Sequence, residues 1–306
     1  MDSNKGKVLS GLLHKNIVFH YTKHEVALQS ILHAGSFRFF KFGQTIDPFE
    51  RLLGRNGPRV GASMRGIEDK HFDEIVHYQS QLLEVYQNTW FGSFCQSSGK
   101  VDTYIKVSDY CKRLGCCKPR MWDQYGGRFT GVCLAFDKTL LKSLLEEQHP
   151  EQVWSGSLEY DLFGDMTDVS THVRKRAENA GYSFKDFLSD NYKHLYFWKH
   201  PDYGDEKEWR ICVYNNEQCE AAYTELHIEN ALMAIVYCTD DFSVKECKQG
   251  DLFPNAYMQM LKQYAYKYDV PLIALIFEDR EMGIELIDTA PAGKQGEEQK
   301  GPAHAS

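Results

Sequence analysis

Two short apolar runs, residues 231–238 and 271–277, constrain the fold of this chain more than any other feature of its sequence. Both runs have the length of buried strands, and no stretch approaches the roughly 20 apolar residues that a membrane-spanning helix needs. The chain has 306 residues, of which 42% are hydrophobic, enough to form a sizeable core. The sequence therefore predicts a globular protein with buried strands and no membrane association.

The chain opens with a predicted strand, a short helix and a second strand. Residues 16–21 and 36–42 are rich in β-formers. Between them, Leu28, Ile31 and Leu32 repeat with the spacing of one helix face.

The remainder alternates predicted helices and strands. Further helices are predicted at 67–88, 118–125, 138–147, 168–180, 184–198 and 255–268. Further strands are predicted at 90–96, 129–136, 153–163, 206–214, 224–228, 232–237 and 272–277. Asp137 and Ser183 are predicted N-caps. The pattern indicates one α+β (mixed α/β) domain over residues 1–288, and the small, polar residues 289–306 are predicted to be a disordered tail.

Charge, cysteine content and missing motifs exclude several functional classes. Acidic residues outnumber basic ones 43 to 35, so the chain is not a bulk electrostatic binder of nucleic acid. Nine cysteines without an apolar secretory signal indicate reduced thiols in a cytoplasmic protein, and the cluster Cys111, Cys116 and Cys117 lacks the C-x-x-C spacing of zinc sites. The chain has no P-loop, G-x-G-x-x-G, H-E-x-x-H or G-x-S-x-G motif.

The predicted strand 206–214 is the most informative segment, because alternate side chains of a strand share a face. One face holds the apolar residues Trp209, Ile211 and Val213. The other holds Glu206, Glu208 and Arg210. Two carboxylates and a guanidinium on one face could form the wall of an active site. Alternatively, this is an edge strand whose charges only form surface ion pairs.

Three other segments carry candidate site residues. His20 lies near the end of the first strand, where ligand sites are common, although a histidine in this position taken alone is more often a hydrogen-bonded core residue. Tyr125 ends a short helix before two glycines and could present its ring to a planar ligand, or simply pack on that helix. Asp47 and Glu50 lie in a turn that could order a binding loop or be purely structural.

Taken in order, several short segments resemble a bacterial family of unknown function. They are FHYT from residue 19, DPFE from 47, FCQS from 94, MWDQYG from 121, GVCLAF from 131 and EKEWRI from 206. The resemblance runs from about residue 19 to residue 214. That family in turn resembles the ADP-ribosyltransferase superfamily, which includes bacterial toxins that modify proteins or nucleic acids. The resemblance implies a central split sheet, mixed or antiparallel, with peripheral helices.

The resemblance also implies how NAD is held. Enzymes similar to diphtheria toxin and to poly(ADP-ribose) polymerases use a His, a Tyr and a Glu on separate segments. His20, Tyr125 and Glu208 occur here in that order. On this basis His20, in one segment with Tyr21 and Thr22, would bind the NAD ribose, and Tyr125 would stack on nicotinamide. A second stacking tyrosine, usual in the poly(ADP-ribose) polymerases, has no evident counterpart.

The implied chemistry assigns the carboxylates and two arginines. Glu208 would be the catalytic carboxylate, and Glu206 would complete an E-x-E pair like that of the arginine-modifying enzymes. Cleavage of the nicotinamide–ribose bond passes through an oxocarbenium-like state that a carboxylate can stabilise. Arg38 and Arg210 are the candidates to bind the pyrophosphate. NAD would be a substrate, and the reaction requires no metal.

The resemblance thus favours an ADP-ribosyltransferase that acts as a bacterial toxin or phage-defence effector. Its acceptor would be a macromolecule, either protein or nucleic acid, including RNA, and a neutralising antitoxin is an expected partner. Two alternatives stay open. One is a catalytically inactive module that binds NAD or another nucleotide. The other is a nuclease that holds a divalent ion among Asp47, Glu50, Glu206 and Glu208.

Overall fold

A computed structural model provides the fold of the chain. It describes residues 3–45, 47–48, 50–51, 72–98, 107–150, 153–161, 175–176, 179, 181–214, 223–228, 230–239, 252–278 and 281–287. The predicted tail at 289–306 lies outside these residues, as does nearly all of the predicted helix at 168–180.

The described residues form an α+β structure. Its strands are β1 Ile17–Thr22, β2 Ser36–Lys41, β3 Thr89–Gln96, β4 Val132–Asp137, β5 Val153–Ser157, β6 Glu159–Tyr160, β7 Trp198–Lys199, β8 Glu208–Tyr214, β9 Tyr223–His227, β10 Leu232–Thr239, β11 Leu272–Glu278 and β12 Glu281–Ile287. Its α-helices are α1 Ser3–Leu12, α2 Phe72–Gln87, α3 Val107–Arg113, α4 Pro119–Gln124, α5 Lys138–Gln148, α6 Phe184–Tyr196 and α7 Leu252–Lys267. A π-helix covers Val26–Leu32, and 3-10 helices cover Phe42–Gln44 and Pro201–Glu206. Among the helices described, none is long and apolar enough to cross a membrane.

Ten of the strands form one mixed sheet. Its main path runs β12-β11-β10-β4-β1-β3-β2-β9, and β8 and β5 extend it from β3. β10 and β11 are parallel, and the other pairs of this sheet are antiparallel. The two apolar runs of the sequence are β10 and β11, which explains why their residues are apolar on both faces.

The sheet forks at β3. One edge of β3 pairs with β8 along its length, from Thr89 to Cys95. The other edge pairs with β2 only at Trp90 and Phe91, and with β1 only at Cys95 and Gln96. Between these two contacts, residues 92–94 of β3 form the base of an opening that separates β1 from β2.

Helices cover both sides of the sheet. One core cluster includes Trp209, Ile211 and Val213 and involves the π-helix, α5 and α7, as the alternation along β8 predicts. A second cluster involves α1, α3 and α4, and a third involves α2 and α6. The two predicted N-caps are confirmed: the Asp137 carboxylate accepts from backbone N–H groups of α5, and the Ser183 hydroxyl accepts from the backbone N–H of Asp186 in α6.

Two predicted strands begin later than predicted, and the strand predicted at 153–163 is interrupted at Leu158, between β5 and β6. The strand predicted at 206–214 begins at Glu208, because Lys207 has the left-handed φ of 47° and Glu206 still belongs to a 3-10 helix. The strand predicted at 129–136 begins at Val132, because Arg128 and Phe129 have φ values of 54° and 69°. In both places the backbone turns sharply before it extends.

Candidate active site

A pocket of about 840 Å³ opens at the fork of β3. Its walls come from β1, β2, the end of α4 and the 3-10 helix 201–206, and the centre of β3 forms its base. The predicted site residues that line it are His20, Tyr21, Arg38, Tyr125, Glu206 and Glu208, together with Asp47 and Glu50 of the acidic turn. Thr22 and Arg210 are absent from the lining.

Glu208 is the most tightly held carboxylate of the pocket. Its Oε1 accepts hydrogen bonds from Ser93 Oγ at 2.5 Å and from Arg210 Nη2 at 2.7 Å and Nε at 2.9 Å. Burial alone would raise the pKa of Glu208, but Arg210, Lys199 and the Ser93 hydrogen bond together hold that pKa below its ordinary value. The side chain is therefore an ionised carboxylate at neutral pH.

Lys199 connects the two glutamates. Its Nζ donates to Glu206 Oε2 at 2.8 Å and to Glu208 Oε2 at 3.2 Å, and it lies 4.0 Å from Asp47 Oδ2. It also lies 4.4 Å from the ring centroid of Tyr203. Burial alone would lower the pKa of Lys199, but the neighbouring carboxylates raise it above its ordinary value, so the ammonium stays charged.

Arg210 fixes the back of the site. Its side chain is 1% exposed, and it binds Glu50 and Glu208 through Nη2 and the Tyr196 carbonyl through Nη1. Thr45 Oγ1 donates to the second oxygen of Glu50 at 3.1 Å. The acidic turn is thereby tied to β8 through a buried ion pair.

β8 is an internal strand, which contradicts its interpretation as an edge strand with surface charges. It pairs with β3 on one side and with β5 on the other. Glu206 and Glu208 are each 4% exposed. Buried charges of this kind need paired, hydrogen-bonded partners, and Lys199 and Arg210 provide them.

His20 contacts the base of the pocket. Its Nδ1 lies 3.2 Å from the Ser93 carbonyl oxygen, and its ring makes an edge contact with Phe37 at 4.6 Å. Burial lowers the pKa of His20 to about 4, against a smaller opposing effect of the Ser93 hydrogen bond. The imidazole is therefore neutral at pH 7. Because the Ser93 carbonyl can only accept, Nδ1 carries the proton and Nε2 is an acceptor.

Tyr125 lies at the C-terminal end of α4, where it lines the pocket. Its hydroxyl donates to Glu206 Oε1 at 3.1 Å. Burial first, and then the negative charge of Glu206, raise the pKa of Tyr125, so the phenol keeps its proton. By contrast, Tyr21 directs its hydroxyl to the Gly115 carbonyl at 2.6 Å, and its ring meets Trp122 at 5.1 Å.

Arg38 lies at the rim of the pocket on β2. Its Nε donates to Glu225 Oε1 at 2.7 Å, and its guanidinium lies 4.5 Å from the ring centroid of Tyr223. Of the two predicted arginines, Arg38 therefore reaches the pocket. The guanidinium of Arg210 is instead hydrogen-bonded to other groups of the protein.

The thiols and carboxylates show no metal-binding arrangement within the part of the chain that the structure describes. Cys95, Cys133, Cys212 and Cys238 are free thiols, and Cys111, Cys116 and Cys117 belong to the second core cluster.

The sequence alone did not single out Lys199 and Ser93. Lys199 reaches both glutamates because the 3-10 helix folds residues 201–206 back on themselves, which no periodicity signals. Nothing in the sequence distinguishes Ser93 from other strand residues, because it is the fork of the sheet that exposes it to the pocket. Only the alternation of small and aromatic residues in FGSFCQ could have suggested a strand with one open face.

Comparisons with known proteins give one match. No curated protein and no solved structure matches the chain significantly. Residues 121–211 match the model of a protein family that is described only as a protein of unknown function, DUF2971. The matched segment extends from α4 into β8 and so contains Tyr125, Lys199, Glu206, Glu208 and Arg210.

Proposed function

We propose that this protein is an NAD-dependent ADP-ribosyltransferase that modifies a macromolecule. The observation that carries the proposal is the convergence of His20, Tyr125 and Glu208, from three separate segments, on one pocket. The pocket volume of about 840 Å³ falls in the range of roughly 300–1,000 Å³ that is typical of small-molecule sites. The forked mixed sheet also agrees with the split sheet that the superfamily resemblance implies.

The walls of the pocket offer suitable groups for binding NAD. The neutral His20 presents Nε2 as an acceptor for a ribose hydroxyl, because its Nδ1 proton is directed to Ser93. The ring of Tyr125 provides an aromatic surface for nicotinamide.

Glu208 supplies the negative charge that the reaction needs. When the ribose C1′–nitrogen bond breaks, its electron pair leaves with nicotinamide and positive charge develops on the ribose. A carboxylate fixed in its ionised form stabilises that charge without reorganisation. Within the described residues, Glu208 Oε2 accepts only the 3.2 Å hydrogen bond from Lys199, so it retains capacity for a ribose hydroxyl. In this proposal Glu206, the second carboxylate, accepts the proton that the acceptor nucleophile loses on attacking C1′.

Arg210 and Lys199 are positioning residues in this proposal. Arg210 fixes Oε1 of Glu208 through two hydrogen bonds, and Lys199 sets the spacing between Glu206 and Glu208. We therefore assign Arg210 a role behind the site, because it binds Glu50, Glu208 and the Tyr196 carbonyl and does not line the pocket.

The geometry favours this function over a metal-dependent nuclease. The Lys199 ammonium already occupies the position between Glu206 and Glu208 that a shared divalent cation would take. Glu50 is likewise paired with Arg210. The inactive binding module shares the pocket with the enzyme, and only a measurement of turnover separates the two.

The direct test is to incubate purified protein with labelled NAD and a bacterial lysate, beside the variant Glu208→Gln. We expect label in the protein or nucleic-acid fraction with the wild type, and a loss of roughly 10²–10³-fold in the variant. NAD binding without release of nicotinamide would instead support an inactive binding module. Activity that requires Mg²⁺ or Mn²⁺ and is abolished by a chelator would support the nuclease.

The toxin or phage-defence role is part of the same proposal and has its own test. Induced expression of the wild type should arrest the growth of a bacterial host, and expression of Glu208→Gln to the same level should not. Equal growth inhibition by both forms would show that the arrest does not depend on the proposed chemistry.

A further inference from the structure

The outer face of β2 and β9 carries an exposed aromatic pair beside the pocket. Phe40 and Tyr223 are directly opposite in the antiparallel register, as are Arg38 and Glu225. Directly paired residues project to the same face of a sheet, so these four side chains are neighbours. Phe40 and Arg38 also line the pocket, which makes this face continuous with the pocket mouth.

The two rings are unusually exposed for large apolar side chains. Phe40 is 49% exposed and Tyr223 is 40% exposed, and their ring centroids lie 6.5 Å apart. Val26, which is also exposed, lines the pocket close by. Adjacent exposed apolar groups at the mouth of a cavity mark a contact surface rather than scattered surface residues.

The arginine on this face is oriented for a phosphate. Glu225 binds Arg38 at Nε, and the guanidinium lies 4.5 Å from the Tyr223 ring centroid. Within the described residues, Nη1 and Nη2 make no hydrogen bond, so the fork of the guanidinium stays available for a phosphate.

We infer that Phe40, Tyr223 and Arg38 form the acceptor subsite of this enzyme, and that they bind single-stranded nucleic acid. Unpaired bases stack on aromatic side chains, and an adjacent arginine binds the backbone. A net charge of −8 argues against a duplex held by bulk electrostatics, whereas bases stacked on the two rings gain affinity from the rings themselves. The role as acceptor rests on the proposed function, but the binding site itself does not.

Binding can be measured by fluorescence anisotropy with short labelled oligothymidylate and oligouridylate, which distinguish DNA from RNA as the source of the bases. We expect Phe40→Ala and Tyr223→Ala each to weaken binding at least about 5-fold, the lower end of what one stacked base contributes. Tyr266→Ala is the matched control, because Tyr266 is 54% exposed on α7 and belongs to no pocket wall described. It should bind like the wild type.

Arg38→Gln tests the phosphate contact separately. For single strands, each phosphate neutralised contributes about −0.7 to the slope of log affinity against log salt concentration. We expect the variant to make that slope shallower by about this amount, and Lys262→Gln on α7 to leave it unchanged.

Two results would overturn the inference. The first is a folded wild type that binds neither oligonucleotide, or binds them equally well after Phe40→Ala and Tyr223→Ala. The second is an equal loss of NAD affinity, measured by calorimetry, in those two variants, which would assign the rings to the adenine of NAD. If the oligonucleotides bind as expected but label from NAD never reaches them or any other macromolecule, the transferase proposal fails while the binding site stands.

Discussion

The hydroxyl of Ser93 donates a 2.5 Å hydrogen bond to Oε1 of Glu208, from the neighbouring strand of the sheet. The carbonyl of Ser93 lies 3.2 Å from Nδ1 of His20. One residue at the fork therefore orients both the imidazole and the carboxylate of the proposed site, and it does so with its backbone for one and its side chain for the other.

Replacing the hydroxyl of Ser93 should remove only its hydrogen bond to Glu208 and should leave the contact between its carbonyl and His20 in place. In Ser93→Ala we expect kcat to fall about 10-fold, because a hydrogen bond to a charged group contributes about 1.5–3 kcal/mol. The pKa of Glu208 should rise, so the acid limb of the pH–rate profile should move to higher pH. Ser80→Ala, an exposed serine on α2, is the control. An unchanged acid limb in Ser93→Ala would show that this hydrogen bond does not set the ionisation of Glu208.

Loss of the Lys199 ammonium should destabilise the protein. Lys199→Met leaves Glu206 and Glu208 buried without their shared cation, and breaking such a buried ion pair costs about 3–5 kcal/mol. The free energy of unfolding in urea measures this loss. Lys142→Met removes an exposed lysine that pairs with Glu146 on α5, and it should cost at most about 1 kcal/mol. Equal stability of the two variants would contradict the role given to Lys199, whereas partial recovery in Lys199→Arg would support it.

His20 should make the fold sensitive to mild acid. Its pKa in the folded state is about 4, below the ordinary value of 6.5, so the unfolded chain binds a proton between these values and the folded chain does not. Stability should therefore decrease as the pH falls from about 6.5 to about 4, and the contribution of this residue should level off below that pH. Urea unfolding at several pH values should show a smaller decrease for His20→Gln over the same window. Nuclear magnetic resonance of the His20 ring would contradict this account if it titrated near pH 6.5.

Two variants should distinguish the contribution of the Tyr125 ring to NAD affinity from that of its hydroxyl. Tyr125→Phe keeps the aromatic surface and removes the hydrogen bond to Glu206, so NAD affinity should change little. Tyr125→Ala removes the ring as well and should weaken NAD binding by about 5-fold or more, in line with the contribution of about 1–3 kcal/mol from one stacked ring. Calorimetric titration with NAD compares the two. Similar affinities of both variants would remove Tyr125 from the nicotinamide contact.

Much of the fold could be predicted because its elements carry local signals. The caps at Asp137 and Ser183 mark helix starts by a side chain next to free N–H groups, and β8 shows its core face by strict alternation. Three elements gave no usable signal in the sequence, namely α1, α3 and β12. α3 packs against β12, which is distant in the sequence, whereas β12 itself also pairs along its length with β11, from which only two residues separate it.

The candidate site was predictable as a set of residues but not as an arrangement. Glu208 and Arg210 share a strand, and their common face follows from the period of two. Glu206 reaches the same pocket by a different route, since a left-handed residue separates it from β8 and Lys199 draws its carboxylate inward. A single residue with left-handed backbone leaves no sign in the periodicity of the sequence. The prediction therefore put Glu206 on the pocket side, although Glu206 does not belong to the strand.

The fork in β3 has a consequence for how the cavity responds to its contents. Residues 92–94 face the opening on one edge while their other edge remains bonded to Ile211, Arg210 and Trp209 of β8. The base of the cavity is therefore anchored from behind and does not need a ligand to keep its shape. In the proposed transferase, release of a product should therefore leave the base of the cavity unchanged, so that binding of the next substrate requires adjustment only at the rim.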